Sequence, residues 1–229
     1  MTKPILLIQN VAAEGPGTIT EWLESRGRPF MLVKAYEGEA LPDPDAIEGG
    51  ICLGCPHSAA RYHEHVYLKA LFAWLARVVR EDRPYLGICF GGQLLARVLG
   101  APVEEGNARE IGTYMAKLTE AGAADPLFAG FPREFAMFHW HNDTFRTPFG
   151  GVHLAEDEVW AHQAFRRNRQ VGLQFHLEPR ACDVVRWCEA YPDELAVLGK
   201  TKEEVVAEFE GAYETIRGTN FRLLDNWLG

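Results

Sequence analysis

The stretch that most restricts how this chain can fold is Pro84 to Gly100, PYLGICFGGQLLARVLG. A short apolar run (Tyr85, Leu86, Ile88) leads into Gly87-Ile88-Cys89-Phe90-Gly91-Gly92, and Gln93-Leu94-Leu95-Ala96 then starts helically. Strand, sharp turn and helix following without a linker is the layout of a nucleophile elbow, which holds a reactive side chain above a sheet edge. Gly87 and Gly91, two before and two after Cys89, remove side chains that would clash where backbone crowds the turn. A thiol placed there sits at a helix N-terminus, where amide dipoles favour the thiolate. The same stretch also describes a buried structural cysteine after a core strand. To be chemistry, it needs a base, an orienting acid and an oxyanion site from elsewhere in the chain.

Composition narrows the partners. The chain has 229 residues, long enough for one substantial domain. Its 23 basic and 32 acidic residues give a net charge of −9, the wrong sign for binding a phosphate backbone, so no nucleic-acid partner is expected. The first residues, MTKPILLIQNVAAEG, have too short an apolar core for a secretory signal. The run from Leu68 to Val79 is broken by Lys69 and Arg77, so no membrane partner is expected either. Five cysteines do not suggest a disulfide scaffold, and a cytoplasmic protein with reduced thiols is expected.

In chain order, Lys3 to Val11, Pro29 to Val33 and Gly49 to Cys55 read as strands ahead of the elbow strand. Thr18 to Glu21 has capping-box spacing, with Ile19, Trp22 and Leu23 on one helical face. From His63 to Asp82 apolar residues recur at helical spacing. Alternating strands and helices predict parallel pairing with helices on both faces. Ile111 to Thr119, Glu134 to His141, Val152 to Ala155, His162 to Arg166 and Val171 to Glu178 then read as strands with short links, an antiparallel extension. Cys182 to Tyr191 and Thr201 to Arg217 return to helix, the second opening on a Thr201/Glu204 capping box. The expected architecture is a three-layer α/β fold around a mixed, mostly parallel central sheet. It is expected to be one domain, 1–229, with a helical C-terminal extension over about 181–229.

Gln174-Phe175-His176-Leu177-Glu178-Pro179 supplies the missing base and acid. On a strand, His176 and Glu178 share a face, so His176 can approach a thiol while Glu178 fixes its tautomer. Leu53-Gly54-Cys55-Pro56 ends a parallel strand at the same sheet edge. A backbone N–H there, at Gly54 or Cys55, can pair with that of Phe90 as an oxyanion hole. Cys52-x-x-Cys55 has redox or zinc spacing but no second ligand pair, and His139-x-His141 reads as a pocket wall, so no metal is expected.

Gly54-Cys55-Pro56, Gly87-Ile88-Cys89-Phe90-Gly91-Gly92-Gln93 and His176-Leu177-Glu178-Pro179, in that order, resemble the motifs of the class I glutamine amidotransferases of the Cys-His-Glu type. The likeness is to the free-standing amidotransferase half of GMP synthase and runs from about residue 3 to 180. It implies a flavodoxin-like fold and a Cys89 nucleophile that forms a γ-glutamyl thioester and releases ammonia and glutamate, with no cofactor. It further implies that Gln93, Trp140, His141 and Asn142 hold glutamine or a γ-glutamyl substrate. A separate synthetase or partner subunit would accept the ammonia. Two positions depart from the pattern: Cys55 and Asn142 stand where glycines are usual, and Cys55 would be strained if its φ had to be positive. Two alternatives stay open: a stand-alone γ-glutamyl peptide or amide hydrolase with the same triad, and an inactive binding module whose Cys55 turn closes the pocket.

Overall fold

The computed structural model describes residues 2–228, the side chains of residues 107 and 108 aside. The strand Ile5–Gln9 (β1) shows how its layers arise. Ile5 and Leu7 face one apolar cluster and Leu6 and Ile8 another, and all four are fully buried. A strand buried on both faces needs helices above and below it. The first cluster takes in Ile19, Trp22 and Leu23 of α1 (Thr18–Ser25), Trp187 of α5 (Ala181–Ala190) and Phe209 of α7 (Lys202–Leu228). The second takes in Leu71 and Leu75 of α2 (Val66–Arg80) and Leu94 and Leu95 of α3 (Phe90–Val98).

All nine described strands join one sheet. β1 lies between β2 (Phe30–Lys34) and β3 (Gly49–Cys52), followed by β4 (Tyr85–Ile88) and β9 (Gln170–Leu173), all paired in parallel. Beyond β9 come β8 (Ala164–Arg167), β7 (Val152–Glu156), β5 (Val103–Leu118) and β6 (Glu134–Phe145), all antiparallel. The expected strands at residues 111–119 and 134–141 are thus parts of longer ones, with a register shift in β5 between Glu105 and Glu110. Two further helices outside the expected set, α4 (Glu120–Ala124), capped by Thr119, and α6 (Pro192–Leu198), opened by Pro192 and closed by Gly199, fill links between larger elements. Among the described residues no helix is long and apolar enough to cross a membrane.

Two local expectations are corrected. Val171 to Glu178 is not one strand, because β9 stops at Leu173. Its β4 neighbour turns away at Cys89, and the chain is passed to other partners. Gln174 donates its N–H to the Gln163 carbonyl at 2.8 Å, and His176 exchanges backbone bonds with Phe138 of β6 at 2.8 and 3.0 Å. The antiparallel half therefore curls until β6 meets the chain just past β9. The capping box at Thr18 also does not form. Both its N–H (2.8 Å) and its hydroxyl (3.1 Å) donate to the carbonyl of Glu178, and Glu21 pairs with Arg217 instead. The Thr201/Glu204 capping box does form.

The last helix runs past the expected Arg217 because its late polar residues are used by α1. Asn220 donates to the Thr18 hydroxyl at 2.8 Å, and Asp225 accepts from the Trp22 indole at 2.9 Å. Gly17, at φ 49°, precedes α1, and a Cβ there would lie 2.0 Å from the Glu178 carbonyl oxygen. Gly17→Ala should therefore destabilise the fold by about 2 kcal/mol or more. Gly211→Ala, with open space around it inside α7, should stabilise it by about 0.5–1 kcal/mol. Denaturant melts of the two variants check the contrast.

Candidate active site

Cys89 adopts φ 50°, ψ −109° at the junction of β4 and α3, a conformation that costs a non-glycine residue about 1–3 kcal/mol. Neighbouring backbone holds it there. Its N–H donates to the Leu173 carbonyl at 2.8 Å, and its own carbonyl accepts from the Gln93 N–H at 2.9 Å. The flanking glycines are required by close approach: a Cβ on Gly87 would lie 2.3 Å from the Gly91 carbonyl, and one on Gly91 would lie 2.3 Å from that of Cys52. The sulfur is buried, 3.9 Å from the Trp140 carbonyl and 3.8 Å from the Gln174 amide nitrogen.

His176 and Glu178, each 1% exposed, sit behind the thiol. Glu178 Oε1 lies 2.6 Å from His176 Nδ1, and its Oε2 accepts from the Leu177 N–H at 3.1 Å. The Trp187 indole stands edge-on to the imidazole at 4.9 Å, so α5 fixes the ring plane. Burial opposes a charge on His176, but the Glu178 carboxylate and the hydrogen bonds to Cys89 and Glu178 outweigh it, holding the imidazole well above its ordinary range. The expected thiolate preference of Cys89 is not what dominates. Burial pushes the thiol up, and the hydrogen bond to His176 only partly offsets this.

The thiol opens onto a cavity of about 170 Å³, below the ~300–1,000 Å³ of drug-sized clefts and suited to an amino-acid-sized ligand. Gln93, Trp140, His141, Asn142 and Cys55 all line it with Cys89, so the sequence-derived residues meet in one place. Gln93 donates to the Asp143 carbonyl at 2.8 Å, which aims its amide along the β5–β6 end. Gly54, Phe90, His176 and Glu178 lie beside this group without lining it. Cys55 is not among the described non-glycine residues with positive φ, which are Asp82, Cys89 and Asn168. The turn therefore carries no positive-φ strain, and Cys55 lines the cavity together with Cys89. Burial raises Cys52 to about 11 and Cys55 to about 12, values that oppose a redox pair.

The sequence reading missed Glu14, which lines the cavity with Asp143, Tyr191 and Glu194. Its Oε2 occupies the space where a Cβ on Gly54 would be, at 2.1 Å, and its Oε1 accepts from the Tyr191 hydroxyl at 2.9 Å. Only one signal marked it: the loop after β1 opens at the carboxyl edge of a parallel sheet, where such folds place their sites. Burial pushes its carboxyl from 4.5 to about 7, with the His176 charge and the Tyr191 bond pulling the other way. An acid raised on folding holds its proton more tightly in the native state. Stability from this group is therefore full below about pH 4.5 and lost as pH climbs to about 7. Glu14→Gln should match the parent near pH 5 and exceed it near pH 8 by up to about 3 kcal/mol in denaturant melts. A difference that does not change with pH would contradict this.

Comparisons with known proteins point the same way. Residues 47–181 match the family described as glutamine amidotransferase class-I. A Salmonella typhimurium protein described as glutamine amidotransferase-like, YfeJ, is 32% identical over 93% of this chain and 92% of its own length. The glutamine-hydrolyzing GMP synthase of Thermomicrobium roseum is 38% identical over 44% of this chain but only 19% of its own. A crystal structure of a glutamine amidotransferase from Thermotoga maritima superposes with a TM-score of 0.92 at 30% identity, covering 100% of this chain and 99% of the other. A second, from Methylobacillus flagellatus, gives 0.90 at 28% identity over 99% and 94%. The chain belongs to the class-I glutamine amidotransferase family.

Proposed function

We propose that the chain hydrolyses the side-chain amide of glutamine through Cys89, His176 and Glu178. The observation that carries this reading is the 2.6 Å contact between Glu178 and His176 Nδ1, which leaves the opposite ring nitrogen to face the elbow thiol. The Cys89 sulfur attacks the amide carbon while its proton passes to His176. The oxyanion so formed is met by the N–H of Phe90 and by one from the Gly54–Cys55 turn. His176 gives the proton to the departing nitrogen, ammonia leaves, and a γ-glutamyl thioester remains on Cys89. Water, deprotonated by His176, then splits the thioester and releases glutamate.

Gln93, Trp140, His141 and Asn142 hold the amino-acid end of the substrate. An acceptor enzyme or partner subunit takes up the ammonia, and a reactive free thiol fits a reducing, cytoplasmic setting. Residues 1–229 act as one domain. The bonds from α1 to the Glu178 carbonyl, and from α7 to α1, support treating the helical end as part of it.

A second reading, hydrolysis of a larger γ-glutamyl amide or peptide, is favoured by one observation. Glu14, Tyr191 and Glu194 line the cavity, and the two carboxyl groups suit an amine leaving group larger than ammonia. Steady-state assays on glutamine and on γ-glutamyl dipeptides decide between the readings. Glutamine turnover that Cys89→Ala abolishes, and that Glu178→Gln lowers about 10²–10⁴-fold mainly in kcat, is the expected result. Dipeptide turnover without glutamine turnover would select the hydrolase.

A further inference from the structure

Behind the cavity wall, the β5–β6 ladder brings Glu110 opposite His141 and Gly112 opposite His139. His139 and His141, two apart on one strand, share a face with Glu110. The three residues are 0–5% exposed, and one ligand atom of each lies within 4.8 Å of the others. The outer nitrogen of each ring is already held. His139 Nε2 lies 3.1 Å from Asp157 Oδ2, and that carboxylate is fixed by the Gln163 amide at 2.6 Å and the Trp160 N–H at 2.7 Å. His141 Nδ1 lies 3.2 Å from the Asp143 carbonyl, an acceptor only, so this nitrogen carries the proton. The inner nitrogens, His139 Nδ1 and His141 Nε2, therefore present lone pairs.

What they face is another set of lone pairs. His139 Nδ1, His141 Nε2 and both carboxylate oxygens of Glu110 are buried without a hydrogen-bond partner. Glu110 Oε2 comes within 3.3 Å of His141 Nε2, yet the two are not aligned as a hydrogen bond. Four convergent acceptors with no donor are costly to bury unless something positive sits among them. We propose that Glu110, His139 and His141 form a divalent-metal site, with zinc the ion best suited to it. Two imidazoles and a carboxylate that can offer both oxygens supply four donors, the usual number for zinc. Asp157 and the Asp143 carbonyl are the outer partners that orient metal-bound histidines. The ion would pin β5 to β6 behind His141, and so position the wall whose Trp140 carbonyl approaches Cys89. The inference is independent of which γ-glutamyl compound the cavity takes.

The test is zinc titration of full-length protein stripped with EDTA, read by calorimetry, metal analysis and thermal melting. One equivalent per chain with a raised Tm is expected. Glu110→Gln and His139→Asn should weaken binding more than about 100-fold, and Asp157→Asn about 10–100-fold. His162→Asn, which alters the separate His153–His162 pair, should leave it unchanged. X-ray absorption of the zinc-loaded parent needs no variant and should show nitrogen and oxygen donors only, with two imidazoles. No retained zinc, a sulfur donor, or binding lost in His162→Asn but kept in His139→Asn would overturn the proposal.

Discussion

The carbonyl of Leu173 is the hinge of this structure. It accepts the Cys89 N–H at 2.8 Å and so holds a strained residue at the point where β4 and β9 both stop. Once β9 has lost β4 as a neighbour, the following residues must find other partners for their buried backbone. They find Gln163 and Phe138, and those bonds present His176 to the thiol. The same extended segment offers the Glu178 carbonyl to Thr18, which starts α1, and α1 in turn receives the last turns of α7. Elbow, imidazole, carboxylate and C-terminal helix are therefore tied by a short series of hydrogen bonds.

Much of the site was legible in the chain because its signals are local. Gly87 and Gly91 mark a turn that only close backbone approach requires, and the spacing of His176 and Glu178 survives the loss of their strand. The i, i+2 relation needs an extended chain rather than a particular neighbour. Gln93, Trp140, His141 and Asn142 came from family likeness, and the structure gathers them around one cavity. Glu14 was hidden because no periodicity marks a loop residue; only the parallel order of β1 and β3 brings it against Gly54. Glu110 was hidden for a related reason. It lies far in sequence from His139, and the register shift before it decides which face it shows. The late turns of α7 were misread because Asn220 and Asp225 look solvated until α1 is placed beside them.

Charge is distributed unevenly about the thiol. Glu178 stabilises a proton on His176, while burial pushes the nearby Glu14 carboxyl up to about 7. The two carboxyls near this imidazole are held differently: Glu178 meets the ring nitrogen and accepts a backbone N–H, while Glu14 accepts the Tyr191 hydroxyl, a bond that only partly offsets its burial.

The proposed hydrolysis turns on Cys89 carrying the acyl group. Intact-mass spectrometry of protein mixed with glutamine and quenched in acid within milliseconds tests it most directly. A γ-glutamyl adduct is expected, which peptide mapping places on Cys89 and which does not form on Cys89→Ala. Glutamine turnover without such an adduct, or an adduct on Cys55 instead, would contradict it.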